Sequence, residues 1–145
     1  MTQQITSLTL ADARALIAAA EKKALEIEIP YNIAVVDSAG LLIAQVRMDG
    51  AWRGSIGISI DKAYSARAFD MSTSDLARAA QSGGSLFGIN TTNDSRVVIF
   101  GGGVPVRVNG TVVGAVGASG GSVENDIEVA EAAVAAFAAT GERCQ

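Results

Sequence analysis

The chain has 145 residues, 49% hydrophobic and 18% charged, a size and composition typical of one globular domain that buries its own core. Eleven Lys and Arg residues against fifteen Asp and Glu residues give a formal net charge of -4 without a basic block, which argues against nucleic-acid and anionic-membrane partners. The chain has no histidine, which removes the commonest general base and the usual protein ligand of zinc, non-haem iron and haem.

The first predicted element is an amphipathic helix over residues 10–28. Thr9 is a suitable N-cap, Asp12 stands three residues later, and apolar residues follow at helical spacing. Pro30 is expected to end the helix. Apolar residues 31–36 and 41–48 then flank a turn sequence at 37–40, which predicts a β-hairpin.

The middle of the chain is less clear, because residues 55–69 match two patterns. The isoleucines at 56, 58 and 60 alternate as in a strand, although positions 56, 60, 63 and 67 also share one helical face. We favour a helix from about Ser59, since residues 61–67 contain no turn former. A second short helix is predicted to begin with Ser72 or Thr73 as its N-cap. Residues 81–95 are rich in Gly, Ser, Asn and Thr and predict a loop of functional length.

The C-terminal third contains three apolar segments that predict strands, at residues 97–100, 104–108 and 111–118. The triple glycine at 101–103 joins the first two, and the Asn109-Gly110 pair joins the last two in a type I′ turn. Ser122 can cap a final helix, and Gly141 is expected to follow the end of that helix.

The resulting element order is α-β-β-α-α-β-β-β-α. Consecutive hairpins favour an antiparallel arrangement, and helices that cannot bury their apolar stripes on each other must cover the faces of the sheet. We therefore expect a single α+β domain over residues 1–145, with helices flanking a five-stranded, mostly antiparallel sheet.

Two glycine-rich segments could bring backbone N–H groups close to a ligand. Gly101, Gly102 and Gly103 offer donors without side chains, although a strained turn or bulge between strands explains them equally well. Gly120 and Gly121 lie at a strand-to-helix junction that resembles an anion-binding helix start. The carboxylates that follow at positions 124 and 126 already occupy the positive end of that helix, which favours plain capping over phosphate binding.

Cations between residues 40 and 110 form a second set of candidates, for which solvated surface charge is the ordinary role. They include Arg47, Lys62, Arg67, Arg96 and Arg107. Two or three that converged would hold a dicarboxylate or haem propionates, because the Arg fork matches a carboxylate. Lys62 stands in an otherwise apolar to small helix, so if buried it needs a partner, and a buried lysine can also act as a base or form a Schiff base.

No signal-peptide pattern or membrane-length apolar stretch is present in the sequence, so we expect a cytoplasmic protein. The single cysteine, Cys144, leaves no intramolecular disulfide to form. Because chain ends fray, Cys144 is also a poor candidate for a catalytic thiol.

Three stretches together are similar to a known family: RMDGAWRGSIGISIDKAYSARAF, then RVVIFGGGVPVRVNGTVVGAVGASGG, then END before an alanine-rich helix. They resemble the GlcG/HbpS family of haem-binding-like proteins, also found as the C-terminal domain of PduO-type proteins. The similarity covers nearly the whole chain, from the first helix to Ala139. It implies a profilin-like, five-stranded antiparallel sheet and assembly through dimers into larger oligomers, often octamers. Some members bind haem, and others sit in operons for small organic acid or aromatic catabolism.

The resemblance also implies a cleft between the Asp-Lys-Ala helix and the two glycine-rich turns. The family's shared positions fall on Arg47, Asp49, Gly50, Lys62, Ala63, Gly101, Gly102, Gly103, Pro105, Gly110, Gly114, Gly117, Ser119, Gly120, Gly121 and Asp126. Histidine ligation of haem has no counterpart in this chain. Haem binding would have to use Tyr, Met, Lys, Cys or hydroxyl ligands, or no protein ligand to the iron.

Three hypotheses follow. The first is an oligomeric protein that binds a small carboxylate or a haem-like ligand. The second is an enzyme that isomerises, deaminates, dehydrates or hydrolyses an unsaturated or keto carboxylate, with Arg47 or Arg96 holding the carboxylate and Lys62, Asp126 or Ser119 moving the proton. The third is an oligomeric scaffold without turnover. Whether Lys62 and Asp126 form a catalytic pair or a structural bridge stays open at this point.

Overall fold

A computed structural model describes residues 1–142 of the chain. Its helices are α1 (Leu10–Glu26), α2 (Ser55–Phe69), α3 (Thr73–Ala79) and α4 (Val123–Glu142). Its strands are β1 (Asn32–Val36), β2 (Leu42–Arg47), β3 (Gly103–Val108) and β4 (Thr111–Ser119). Two short 3-10 turns, Ile89–Thr91 and Asn93–Ser95, lie in the loop that the sequence predicted between α3 and β3.

The strands form one antiparallel sheet in the order β2-β1-β4-β3. Asn32 of β1 lies opposite Arg47 of β2 on one side and opposite Ser119 of β4 on the other. The end of β2, the start of β1, the end of β4 and the start of β3 therefore lie at the same end of the sheet, which we call the site end. The predicted Asn109-Gly110 turn joins β3 and β4, with positive φ angles of 51° and 79°.

The sheet lies between two helical layers of different composition. Helices α1 and α4 pack on each other and on one face of the sheet, and α2 packs on the opposite face. Large apolar side chains fill the α1/α4 side, among them Leu16, Tyr31, Ile33, Val35 and Val116. Small residues predominate on the α2 side, where the buried cluster is Ala34, Val36, Ala63, Ala66 and Ala115.

The α+β class is confirmed, but the predicted fifth strand is wrong. Residues 97–99 are irregular and pair with no strand, so the order of described helices and strands is α-β-β-α-α-β-β-α. The segment is held by helix α2 instead: the Val98 N–H donates to Ser65 Oγ at 2.9 Å, and Ser65 Oγ donates to Arg96 O at 3.2 Å. The apolar character of this segment therefore reflects burial against a helix. The triple glycine leads into β3 and joins no hairpin.

Three helix boundaries also differ from the sequence prediction. Helix α2 begins at Ser55 rather than near Ser59, because the N–H groups of Ser55 and Ile56 already bond to carbonyls at 52 and 53. Helix α1 ends at Glu26, before Glu28 turns into the left-handed region at φ 58°. Helix α4 continues through Gly141 to Glu142. Cys144 lies outside the described residues. Among residues 1–142, no helix has the length and apolar character needed to cross a membrane.

Candidate functional site

The centre of the site end is a buried ion pair between helices on opposite faces of the sheet. Lys62 of α2 places Nζ 2.6 Å from Asp126 Oδ2 and donates to Ala118 O at 3.0 Å. Asp126 lies in the first turn of α4, and its Oδ1 accepts from the N–H groups of Gly120 and Gly121 at 3.1 Å each. The Lys62 side chain is 0% exposed. The sequence left open whether Lys62 and Asp126 meet, and the structure joins them.

Burial and the Asp126 carboxylate shift the pKa of Lys62 in opposite directions. Burial lowers the pKa of Lys62, and the hydrogen bond and negative charge of Asp126 offset part of that effect. Because three donors satisfy the Asp126 carboxylate, the pair can remain charged in a region without solvent. The same two backbone N–H groups that could have bound an external anion are already occupied by Asp126.

The triple glycine makes room for the ion pair. Gly102 has a φ of 122°, and a Cβ built there would lie 2.6 Å from both Lys62 Nζ and Ala118 O. A Cβ on Gly103 would overlap the Lys62 carbonyl, and one on Gly101 would lie 2.6 Å from Ile127 Cδ1. These three glycines are buried against protein atoms, so their absent side chains allow close packing. That they also border a ligand stays a prediction.

Phe100 covers the ammonium group on the solvent side. Its ring centroid lies 4.9 Å from Lys62 Nζ, within cation–π range, and the residue is 40% exposed. An open groove of ≈ 480 Å³ runs beside it, which we call the Phe100 groove. The groove is lined by Ile58, Asp61, Asn90, Thr91, Ser95, Val97, Val98, Ile99 and Phe100.

Arg96 does not itself line the Phe100 groove, but it is hydrogen-bonded to Asp61, which does. Its Nε donates to Asp61 Oδ1 at 3.0 Å, and its guanidinium stacks 3.9 Å above the Tyr64 ring. Within residues 1–142, the Nη atoms of Arg96 form no hydrogen bond. The predicted ligand-binding arginine is therefore positioned by α2 but keeps donors free.

The remaining candidates occupy different surroundings. Ser119 is buried, and its Oγ donates to Ser55 Oγ at 3.0 Å. Arg47 is exposed beside the β2–α2 loop. Pro105 lies in the middle of β3 opposite Ala115, as part of the sheet.

The structure thus gathers Lys62, Asp126, Ser119 and both glycine-rich segments at the site end. Arg47 lies at the same end two strands away, Arg96 contacts Asp61 and Tyr64 of α2, and Pro105 is not part of the cluster. A role in binding or catalysis stays a prediction for each of them.

Sequence reasoning missed three residues that shape this site. Phe100 was assigned to a strand, although an aromatic residue directly before a triple glycine was a usable signal. Thr73 Oγ1 accepts from the Gly103 N–H at 2.9 Å and fixes the start of β3. The Tyr31 hydroxyl is buried and has no hydrogen-bond partner among the described residues. Burial first, and the nearby Asp126 carboxylate second, raise the pKa of Tyr31.

Residues 8–135 match the family model described as "Haem degrading protein HbpS-like". The matched range contains every residue of the ion pair and both glycine-rich segments. The chain belongs to the HbpS-like family. The family resemblance read from the sequence motifs is therefore confirmed.

Similar proteins agree with the HbpS-like assignment. A Citrobacter freundii protein, described as an uncharacterized 15.0 kDa protein in the dhaT-dhaS intergenic region, is 48% identical over 93% of this chain and 95% of its own length. The crystal structure of Klebsiella pneumoniae protein ORFY superposes with a TM-score of 0.93 at 45% identity, covering 95% of both chains. The crystal structure of a PduOC–haem complex gives a TM-score of 0.85 at 34% identity, covering 89% of this chain and 94% of that one.

Proposed function

We propose that this HbpS-like chain binds a small, flat, apolar carboxylic acid of the haem-like class in the Phe100 groove, without histidine ligation. The observation that carries the proposal is an apolar wall beside an arginine with free donors. The groove volume of ≈ 480 Å³ falls in the range of small-molecule sites, roughly 300–1,000 Å³. The haem complex of the PduOC relative supports this class of ligand.

The apolar wall is formed by Ile58, Val98, Ile99 and Phe100. Because Phe100 is 40% exposed, its ring can gain contact area when a flat ligand covers it. Burying a Phe side chain fully is worth about 1.5–3 kcal/mol relative to full exposure, so this ring would supply a part of that in binding energy.

Arg96 would hold the carboxylate of the ligand. Its Nε is committed to Asp61, while its Nη groups can donate to two oxygens of one carboxylate. Asp61 also lines the groove, and its negative charge disfavours a second carboxylate close by. The site therefore favours a ligand that presents one carboxylate to Arg96 and an apolar body to Phe100.

The donor set does not fit axial ligation of haem iron. The chain has no histidine. The Tyr64 hydroxyl accepts from Asn93 Nδ2 at 2.9 Å, its ring lies beneath Arg96, and Lys62 Nζ is bound to Asp126. The groove therefore offers a porphyrin an apolar wall and a partner for one carboxylate, but no imidazole, free amine or free phenol for its metal among the described residues.

The test is a parallel titration with hemin and with iron-free protoporphyrin, followed by Soret absorbance. We expect saturable binding of both at micromolar protein, with similar affinities, because the iron contributes no protein bond. Phe100→Ala should weaken both affinities about tenfold or more. Phe87→Ala removes an equally large exposed ring outside the groove and is the matched control.

Two outcomes would contradict the proposal. The absence of a saturable change with either compound removes the haem-like ligand. Binding of hemin alone, with none of the iron-free compound, shows that iron ligation and not the apolar wall carries the affinity.

A second candidate function is proton transfer on a small unsaturated or keto carboxylate. It is favoured by one observation: burial lowers the pKa of Lys62, and its ammonium group lies 4.9 Å from the centroid of the Phe100 ring, which lines the groove. A neutral Lys62 could remove a proton next to a carbonyl, and Asp126 would balance the charge. Incorporation of solvent deuterium into pyruvate or crotonate, measured by NMR, tests this candidate. Equal incorporation by the wild type and by Lys62→Ala and Asp126→Ala variants contradicts it.

We also propose that the chain forms dimer-based homo-oligomers, as the family resemblance implies. Exposed large apolar residues such as Leu25 and Leu41 support association. Sedimentation velocity over a range of concentrations tests the assembly, and a monomer at every concentration contradicts it. An oligomer that binds neither porphyrin nor small carboxylates would favour the scaffold hypothesis.

A further inference from the structure

The loop between β2 and α2 lines a second open pocket at the site end. It has a volume of ≈ 520 Å³ and shares no lining residue with the Phe100 groove. We call it the loop pocket, and it is lined by Arg47, Asp49, Gly50, Ala51, Trp52 and Arg53.

The loop is held in place before any ligand binds. The Ala51 N–H donates to Met48 O at 3.0 Å and closes a turn in which Gly50 has a φ of 84°. The Trp52 carbonyl accepts from Asn32 Nδ2 at 2.8 Å, which ties the loop to the sheet. Such a loop loses little conformational entropy when a ligand enters the pocket.

The charges of the loop pocket favour an anion. Arg47 and Arg53 are both exposed, and neither forms a salt bridge within the described part of the chain. Three other arginines are paired: Arg67 with Asp70, Arg78 with Asp75 and Arg96 with Asp61. Asp49 is the one acidic residue among those lining the pocket, so two positive side chains face one negative one. This balance suits a carboxylate better than a polyphosphate.

Trp52 adds an aromatic surface to the same pocket. It is 63% exposed, although its own backbone is fixed to β1. An indole left in solvent beside two guanidinium groups offers a stacking face to a planar ligand. Trp52 is also the single tryptophan of the chain, so its fluorescence reports on this pocket alone.

We propose that the loop pocket binds a small planar carboxylate, with Arg47 and Arg53 on the carboxylate oxygens and the conjugated body of the ligand against the Trp52 indole. This site is independent of the Phe100 groove. Its failure would leave the porphyrin proposal standing, and the reverse is also true.

The experiment is a titration of the full chain with isophthalate, followed by Trp52 fluorescence excited where the probe does not absorb. We expect a saturable change that is at least about tenfold weaker with isophthalamide, the neutral isostere. Arg47→Gln and Arg53→Gln should each weaken isophthalate binding about tenfold. Arg14→Gln makes the same charge change on the exposed surface of α1 and should leave binding unchanged.

The proposal is overturned by a change that is linear in probe concentration, which indicates collisional quenching. It is equally overturned if isophthalamide binds as well as isophthalate, or if Arg14→Gln weakens binding as much as the pocket variants do. Circular dichroism of each variant confirms that it is folded, which we expect because all three arginines are exposed.

Discussion

The two faces of the sheet are built on different principles. On the α1/α4 side, large side chains such as Leu16 and Ile33 interdigitate and separate the helix backbones from the sheet. On the α2 side, glycine and alanine bring the helix backbone against the sheet, and a Cβ on Gly117 would overlap the Ser59 carbonyl. The close approach lets the Lys62 side chain pass the end of β4 and reach Asp126 on the opposite layer. We infer that the α1/α4 side tolerates small changes in side-chain volume, whereas the closely packed α2 side, which carries Lys62, does not.

The largest effect is expected where the two sides meet. Lys62→Met removes the cation and leaves the Asp126 carboxylate buried with only its backbone donors. Breaking one partner of a buried ion pair should lower the free energy of unfolding by about 3–5 kcal/mol. Urea unfolding followed by circular dichroism measures the loss.

The control for this prediction is a second substitution in the same protein. Adding Asp126→Asn to Lys62→Met removes the unpaired charge and keeps an acceptor for the N–H groups of Gly120 and Gly121. The double variant should recover about 1–4 kcal/mol of the unfolding free energy that Lys62→Met loses. A double variant no more stable than Lys62→Met would mean that lost packing, and not the unpaired charge, causes the destabilisation.

One added methyl group on the α2 side should be nearly as harmful. In Gly117→Ala the new Cβ would overlap Ser59 O and lie 2.7 Å from Ala63 N, and both are backbone atoms that move only with the helix. We expect a loss of about 3 kcal/mol of unfolding free energy. The matched control is Gly57→Ala. Gly57 is exposed on α2, and a Cβ built there has no atom within 4 Å. This substitution should raise the free energy of unfolding by about 0.5–1 kcal/mol. Equal stability of these two variants would refute the close-packing argument.

A removed methylene on the α1/α4 side should be much better tolerated. Ile33 is fully buried in the larger core, and Ile33→Val should cost about 0.5–1.5 kcal/mol in the same urea assay. A loss as large as that of Gly117→Ala would show that both faces are equally intolerant and would remove the contrast between them.

The sequence predicted those elements whose signals are local. Thr9 and Asp12 form the capping box of α1, Ser72 caps α3, and Asn109-Gly110 forms the hairpin turn. The prediction of a fifth strand was wrong because the partial burial of residues 97–99 beside α2 produces the same apolar pattern as a strand.

Local sequence patterns also predicted only part of the candidate site. The family resemblance predicted a cleft between the Asp-Lys-Ala helix and the two glycine-rich turns, but it left open whether Lys62 and Asp126 meet. The cover that Phe100 forms over Lys62 depends on contacts between distant segments, which no local pattern encodes. The sequence indicated one residue of the loop pocket, because Arg47 was a candidate ligand-binding cation. It could not indicate that Asn32 of β1 fixes the backbone at Trp52.

The smallest predicted effect concerns the Tyr31 hydroxyl, a buried polar group on the α1/α4 side that has no partner among residues 1–142. The Tyr31 hydroxyl is buried and unbonded within residues 1–142, so Tyr31→Phe removes a desolvated group without opening a cavity. We expect unfolding free energy at neutral pH to rise by about 0.5–1 kcal/mol. A loss instead would show that the hydroxyl makes a stabilising bond, for example through a bound water.

The wild type and Tyr31→Phe should also differ in how their unfolding free energy depends on pH. Because burial and Asp126 raise the pKa of Tyr31 above 10.0, the folded chain holds the phenol proton more tightly than the unfolded chain does. Below pH 10.0 the stability of the wild type relative to Tyr31→Phe is unaffected by this titration. Above pH 10.0 the wild type loses stability relative to the variant as the pH rises toward the higher pKa of Tyr31 in the folded chain. Urea unfolding from about pH 8 to about pH 11 should therefore show the wild type losing up to ~1.4 kcal/mol per pH unit relative to Tyr31→Phe above pH 10. The titration of Lys62 is common to both proteins and cancels in the difference, so a flat difference curve would mean that the Tyr31 phenol ionises as readily in the folded chain as in the unfolded one.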